Sequence, residues 1–272
     1  MKEKHVFIAG GFFTTQYPTI RFLEEAAKLG QVHVLLWPED EEVTLPAGRV
    51  KFTVEERQYL LANNRYVSEV RVADEGAGRS ELPLRNGARP DVWAVKEEDD
   101  LPARRAFCEA HGVQYRIIRA DEMKGFSHIP LTGNSGKKKV VVSGCFDWFH
   151  SGHVRFFEEA STYGDLYVVV GSDENLRLLK GEGHPLFPEE ERRYVVQSVR
   201  FVTQALISSG QGWMDAEPEI ERIRPDIYVV NEDGDQPEKR EFCNQHGLEY
   251  VVLRREPKPG LPRRRSTDLR GF

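Results

Sequence analysis

Two histidines three residues apart, His150 and His153, enclose Ser151 and Gly152 and follow a turn containing Gly144, Cys145, Phe146 and Asp147. At that spacing both imidazoles lie on one face of a helix, close to its start. Each can donate a hydrogen bond to an anion, and Gly152 lets that anion approach the backbone closely. A helix start adds unpaired N–H groups and the positive end of the helix dipole. The chemistry that these residue types suit is phosphate binding. Cys145 sits in the turn facing the phosphate, where its backbone matters more than its sulfur.

The elements that must position these residues can be read on either side. Val140, Val141 and Val142 form a short β-branched run ended by Ser143-Gly144, the pattern of a buried parallel strand. Val154, Phe157 and Ala160 then recur at helical spacing. The unit is strand, turn, helix, and it occurs twice. IAGGFFTTQYPTIRFLEEAAKLG aligns without a gap on VSGCFDWFHSGHVRFFEEASTYG at an offset of 134, and RPDVWAVKEEDDLPARRAFCEAHGVQY aligns on RPDIYVVNEDGDQPEKREFCNQHGLEY at 135. Such self-similarity means two copies of one fold. In the second copy strands are expected at 139–143, 165–171, 203–208, 226–231 and 249–253, with helices at 153–163, 189–200, 214–223 and 236–246 between them. Strands alternating with helices of about ten residues give a parallel sheet covered on both faces, with its ligand site at the C-terminal strand ends. A stretch rich in Gly, Ser, Asn and Lys, HIPLTGNSGKKK, separates the copies. The expected domains are residues 1–133 and 134–272.

Composition narrows the classes of function. With 272 residues, 39% of them apolar and 30% charged, the chain can bury cores of ordinary size. A net charge of −6 and a pI of about 5.8 argue against a general nucleic-acid or acidic-membrane partner. MKEKHVFIAG runs straight into a strand, and no apolar stretch approaches the ~18 residues that span a bilayer, so a cytoplasmic protein without membrane insertion is expected. Cys108, Cys145 and Cys243 lack C-x-x-C spacing and read as reduced thiols.

Taken together, G-x-F-D-x-x-H-x-G-H resembles the signature of the cytidylyltransferases and their nucleotidyltransferase relatives, which make CDP-alcohols, ADP-heptose, NAD and FAD. The resemblance implies an α/β fold of two tandem Rossmann-like domains with parallel sheets flanked by helices. It assigns His150 and His153 to the phosphates, and Gly144, Cys145, Phe146, Asp147 and Gly152 to the nucleotide. Lys180 resembles the family's mobile lysine loop, and Arg192 the arginine that opens the next helix and donates to phosphate oxygens. Arg265, Ser266 and Thr267 resemble the R-x-x-x-S-T-T segment that holds the triphosphate tail, with Asp268 in place of the last threonine. Arg263, Arg264 and Arg265 remain alternatives for the arginine that reaches the nucleotide.

The first copy departs from this pattern. It has Gln16-Tyr17-Pro18-Thr19 for His-Ser-Gly-His, Phe13 for Asp147 and Leu45 for Lys180, while Arg57 keeps the place of Arg192. Proline offers no N–H, so residues 1–133 are expected to be degenerate and non-catalytic and 134–272 catalytic. In the second copy, Trp213 is an acceptor-site candidate by resemblance to glycerol-phosphate enzymes, although Ala216 stands where those have lysine. Asp233 could hold magnesium or a polar group of the acceptor, with helix capping by Asp235 the alternative reading of that acidic cluster. Trp148 and Phe149 read as packing residues.

The resulting expectation is transfer of CMP from CTP to a phosphorylated alcohol, such as glycerol phosphate, ethanolamine phosphate or a polyol or sugar phosphate. Pyrophosphate would be released, and magnesium would come with the nucleotide. The alternatives are adenylyl transfer from ATP to a sugar phosphate and a non-catalytic nucleotide-binding regulator. A homodimer and an intrachain pseudo-dimer both fit the duplication.

Overall fold

The computed structural model describes residues 3–13, 16–38, 52–74, 78–82, 89–127 and 135–269, with the backbone alone for Thr267 and Asp268. The described residues divide into two compact units, one ending at Gly125 and the other beginning at Phe126. The boundary expected at Asn134, and with it residues 133 and 134 and Leu45, lies outside the described residues.

The first unit runs β1 (His5–Gly10), α1 (Tyr17–Ala27), β2 (Gln31–Leu36), α2 (Val54–Ala62), β3 (Glu69–Val72), β4 (Val92–Lys96), α3 (Pro102–His111) and β5 (Gln114–Ile118). Its strands form one parallel sheet in the order β3-β2-β1-β4-β5.

The second unit runs β6 (Lys139–Gly144), α4 (Ser151–Ala160), β7 (Asp165–Val170), α5 (Asp173–Lys180), α6 (Glu189–Gln197), β8 (Val202–Ile207), α7 (Glu217–Ile223), β9 (Ile227–Asn231), α8 (Pro237–His246), β10 (Glu249–Leu253) and α9 (Ser266–Leu269). Its sheet, β10-β9-β6-β7-β8, is parallel and has the same topology when its strands are matched in chain order. Register matches as well: Gly10 lies opposite Leu36 and Gly144 opposite Val170, while Val92 faces Gln114 and Ile227 faces Glu249. Each unit is an α/β Rossmann-like domain.

Hydrophobic patterning explains the second sheet. Val140, Val141 and Val142 are all fully buried, as expected of a central strand covered on both faces. Phe157 at 0% exposure and Val154 at 1% seal α4 against the sheet. Burial of side chains this size contributes roughly 1.5–3 kcal/mol each, so the strand end that carries the turn is held from both sides.

One helix was not expected. Residues 173–180 form α5, capped by Ser172, whose side chain accepts from the Asn175 N–H at 3.2 Å, with Asp173 and Glu174 in the first turn. That is a common N-terminal pattern, with acidic residues complementing the helix dipole. Lys180 is therefore the last residue of a helix rather than part of a loop, and Gly181 ends the helix at φ +84.

Candidate active site

β6 ends at Gly144, and the chain turns sharply through Phe146, a non-glycine residue at φ +51. The Phe146 ring folds back over the strand end, so a Cβ on residue 144 would come within 2.9 Å of it. Glycine at 144 therefore permits this turn. Two residues after Asp147 and Trp148 comes His150, the N-cap of α4, whose Nδ1 accepts from the Gly152 N–H at 3.0 Å. A Cβ at 152 would lie 2.9 Å from the His150 ring, so Gly152 is fixed by the cap as well as by any ligand.

This cap sets the tautomer. With Nδ1 accepting, the neutral ring carries its proton on Nε2. His150 is 0% exposed, and its Nε2 is buried with no hydrogen-bond partner among the described residues. His153 stacks on it with ring centroids 3.9 Å apart, and its Nδ1 is likewise buried without a partner. Phe146 and Phe149 enclose His153, each ring centroid 5.3 Å away. Burial, then Arg255 and Arg264, push His150 down to about 3. Burial, His150, Arg255 and Lys180 hold His153 well below its usual range. Both rings are neutral at pH 7.

The histidines open on a cleft of about 650 Å³ at the C-terminal ends of the strands. Gly144, Cys145, Phe146, Asp147 and Gly152 line it beside His150 and His153, and Lys180 reaches it from the end of α5. Asn231 and Asp233 line it from the end of β9, Lys239 from α8, and Arg255, Arg265 and Ser266 from the C-terminal segment. Among the three candidate arginines, Arg265 is on the wall. Arg263 pairs with Glu232 at 3.6 Å, and Arg264 accepts from Arg255 through its carbonyl at 3.0 Å. The Thr267 side chain lies outside the described residues.

Three expectations need correction. Arg192 is not on the described cleft wall. Its guanidinium is 1% exposed and donates to the Phe187 carbonyl (2.9 Å), the Cys145 carbonyl (2.7 Å) and the Asp173 carboxylate (2.8 Å). All three directions of its fork are taken by the protein, so it fastens the turn and the start of α5 instead of meeting phosphate. Trp213 is 64% exposed on a short 3-10 turn and is also absent from the described wall. Asp235 does not cap α8, whose N-cap is Gln236; it pairs with Arg240 and accepts from the Tyr250 hydroxyl at 3.1 Å.

Asp147 lines the cleft, yet its Oδ1 accepts from the Leu186 and Phe187 N–H groups at 2.9 and 3.0 Å. It anchors the segment after Lys180. Asp233 lines the cleft and pairs with Arg255. Trp148 packs edge-on against Phe187, centroids 5.3 Å apart, and Phe149 against Phe157, at 6.1 Å, as packing residues should. Sequence reasoning singled out neither Lys239 nor Arg255. The one sequence signal for Lys239 is Arg104, the basic residue at the same place in the first copy.

The first unit keeps the scaffold and fills the corresponding region. Phe12 repeats the turn at φ +48, and Arg57 donates to the Gly11, Trp37 and Pro38 carbonyls much as Arg192 does to its own partners. At the histidine positions, Gln16 caps α1 without a side-chain bond and Pro18 occupies its first turn. Trp37 stands where the second unit has Gly171. Arg104 lies 5.7 Å from the Trp37 ring centroid and 5.6 Å from that of Trp93, and Arg79 lies 5.2 Å from Trp37. Among the described residues, these side chains gather beside the ends of β2 and β4.

A family model described as cytidylyltransferase-like matches residues 141–258. The FAD synthase of Ferroglobus placidus is 38% identical over 120 residues, which are 43% of this chain and 75% of that enzyme. The FAD synthase of Aciduliprofundum boonei is 35% identical over 136 residues, 49% of this chain and 84% of that enzyme. The bifunctional protein HldE of Campylobacter curvus is 37% identical over 222 residues, 80% of this chain, of which the chain spans only 44%. Among solved structures, a lipopolysaccharide core biosynthesis protein from Thermoplasma volcanium aligns at 24% identity and a TM-score of 0.38, covering 44% of this chain and 98% of that one. The chain belongs to the cytidylyltransferase-like family of nucleotidyltransferases.

Proposed function

We propose that the second unit transfers a nucleoside monophosphate from a nucleoside triphosphate to a phosphorylated small-molecule acceptor. The observation that carries this reading is the pair of stacked neutral histidines with buried, unpartnered nitrogens, set in a cleft with Lys180, Arg255 and Arg265 on its wall. A buried polar atom without a partner is costly and calls for a ligand to complete it. Nε2–H of His150 is a neutral donor, and the surrounding cations supply the charge that a triphosphate requires.

In the reaction, an oxygen of the acceptor's phosphate forms a bond to the α-phosphorus. The bond from that phosphorus to the bridging oxygen breaks, and pyrophosphate leaves with the electron pair. The attacking oxygen is already ionised at neutral pH, so no general base is needed; alignment and charge stabilisation are the protein's task. Lys180 would hold the incoming phosphate by the α-phosphate, the histidines would donate to phosphate oxygens, and Arg265 with Ser266 and Thr267 would hold the tail. Among the described residues no group of three or more His, Cys, Asp or Glu side chains is arranged as a metal site. A magnesium ion would accompany the triphosphate, and Asp233, the cleft-wall carboxylate that is not tied to backbone N–H groups as Asp147 is, would be the side chain to help hold it, in exchange for its pairing with Arg255. Such an ion would neutralise charge on the phosphates.

The FAD synthase relatives, whose product contains adenine, favour ATP as the donor over the CTP expected from the motif. CTP is the second reading, favoured by the description of the matching family. The first unit is read as a non-catalytic copy from an internal duplication, with Trp37 and Arg104 closing its strand ends. Pyrophosphate release from ATP and from CTP with magnesium, across phosphorylated alcohols, sugars and FMN, tests the reading. Turnover with one pair establishes donor and acceptor, whereas nucleotide binding without turnover on any acceptor would make the protein a regulator. His153→Ala should lower turnover by roughly 10²–10³-fold, as loss of a preorganised donor does elsewhere; near-full activity in that variant would refute the histidine assignment.

A further inference from the structure

Lys239 is the third residue of α8 and lines the cleft. Its Nζ makes no hydrogen bond and no ion pair among the described residues; it lies 5.9 Å from the Tyr228 ring centroid and 4.0 Å from where a Cβ on Gly234 would be. The carboxylates around it are engaged elsewhere. Asp233 pairs with Arg255, Asp235 pairs with Arg240, and Asp215 accepts from the Ser208 hydroxyl at 2.8 Å. The amine is partly desolvated, and burial lowers its pKa.

The same backbone position in the first unit shows what satisfaction looks like. Arg104, also third in its helix, is 4% exposed and donates to the Asp99 carbonyl at 2.7 Å and the Arg79 carbonyl at 3.1 Å. Trp37 and Trp93 flank it. In the second unit Gly171 and Tyr228 replace the two tryptophans, and the cation faces the cleft.

Lys239 enters the cleft from α8, which follows β9, whereas the histidines follow the neighbouring strand β6. Lys239 thus lines the cleft from a different strand end from the phosphate-facing histidines. A cation left without a partner in a partly dry wall is stabilised when an anion arrives. Building on the nucleotidyl-transfer reading, we propose that Lys239 binds a second anionic group of the acceptor, a carboxylate or a phosphate other than the one that attacks. The acceptor is then a phosphorylated molecule with at least one further negative charge, not a singly phosphorylated neutral polyol.

Calorimetry on the full chain with three probes of one carbon skeleton tests this: glycerol 3-phosphate, 3-phosphoglycerate and glycerol 1,3-bisphosphate. At least one doubly anionic probe should bind about ten-fold or more tighter than glycerol 3-phosphate, and Lys239→Met should shrink that gap to within about two-fold. Lys239→Arg should keep part of it. Whichever of the carboxylate and bisphosphate probes binds tighter identifies the second anion. ATP and CTP affinity, measured on the same samples, should be unchanged by Lys239→Met, which also shows that the variant is folded. Equal affinities in the wild type, a gap that survives Lys239→Met, or no binding of any probe overturns the proposal. If nucleotide still binds in those cases, the transfer reading stands and only the second anion is lost. If nucleotide fails to bind as well, both fall.

Discussion

His150 is held between two demands, a cap for α4 and a donor for a ligand, and one tautomer meets both. Nδ1 takes the Gly152 N–H, which leaves the proton on Nε2, where it is buried without a partner. The same burial forbids the charged ring, so the His150 pKa falls to about 3. A group whose folded pKa is depressed below the unfolded value near 6.5 binds fewer protons in the folded state between those pH values. Its stabilising effect is complete above pH 6.5 and is lost as pH falls towards 3, at about 1.4 kcal/mol per pH unit. The melting temperature should therefore drop between pH 6.5 and 4, and His150→Gln should flatten that drop; an unchanged slope in the variant would show that the ring titrates freely.

At the scale of elements, the site is held by a small set of side-chain to backbone bonds. Arg192 from α6 fastens the Cys145 carbonyl in the phosphate turn to Asp173 at the start of α5, whose last residue is Lys180. Asp147 reaches from the turn to the Leu186 and Phe187 N–H groups. Turn, lysine helix and following segment therefore move together. Arg192→Lys keeps the charge but cannot span three acceptors, and leaving buried groups unpaired costs about 1–3 kcal/mol. Thermal unfolding should register that loss. Because Lys180 is displaced rather than removed, turnover should fall more than nucleotide affinity does; an equal loss in both would mean that Arg192 contacts the nucleotide after all.

Across the whole molecule, two units of one topology differ in what fills their strand ends. Topology, register, the left-handed turn residue and the buried arginine are common to both. The contents of the strand ends are not. Trp93 at 0% exposure is part of the first unit's filling, with Phe107 and Tyr115 edge-on at 5.8 and 6.4 Å. Trp93→Ala should cost about 3–5 kcal/mol of that unit's stability while leaving pyrophosphate release per folded molecule unchanged. A proportional loss of turnover in fully folded protein would mean that the first unit takes part in catalysis.

The sequence by itself determined the strand-turn-helix unit and most strand positions, because these depend on short-range patterns. A β-branched run, a glycine at the turn and two histidines at helical spacing are read within a few residues of one another. Helix α5 was legible in principle, since Ser172-Asp173-Glu174 is a helix start, but its apolar residues are few and Leu178 is 67% exposed, which blurs the period. Only the tertiary structure decided which cations face the cleft. Arg192 is as basic in sequence as Arg255, yet one is consumed by the Cys145 and Phe187 carbonyls and the Asp173 carboxylate, while the other lines the cleft paired with Asp233. Lys239 differs from Arg104 chiefly in what residues far along the chain place around it, tryptophans in one unit and Gly171 and Tyr228 in the other. A charge's availability is set by its desolvation and its partners, and both are fixed by contacts between residues far apart in the chain.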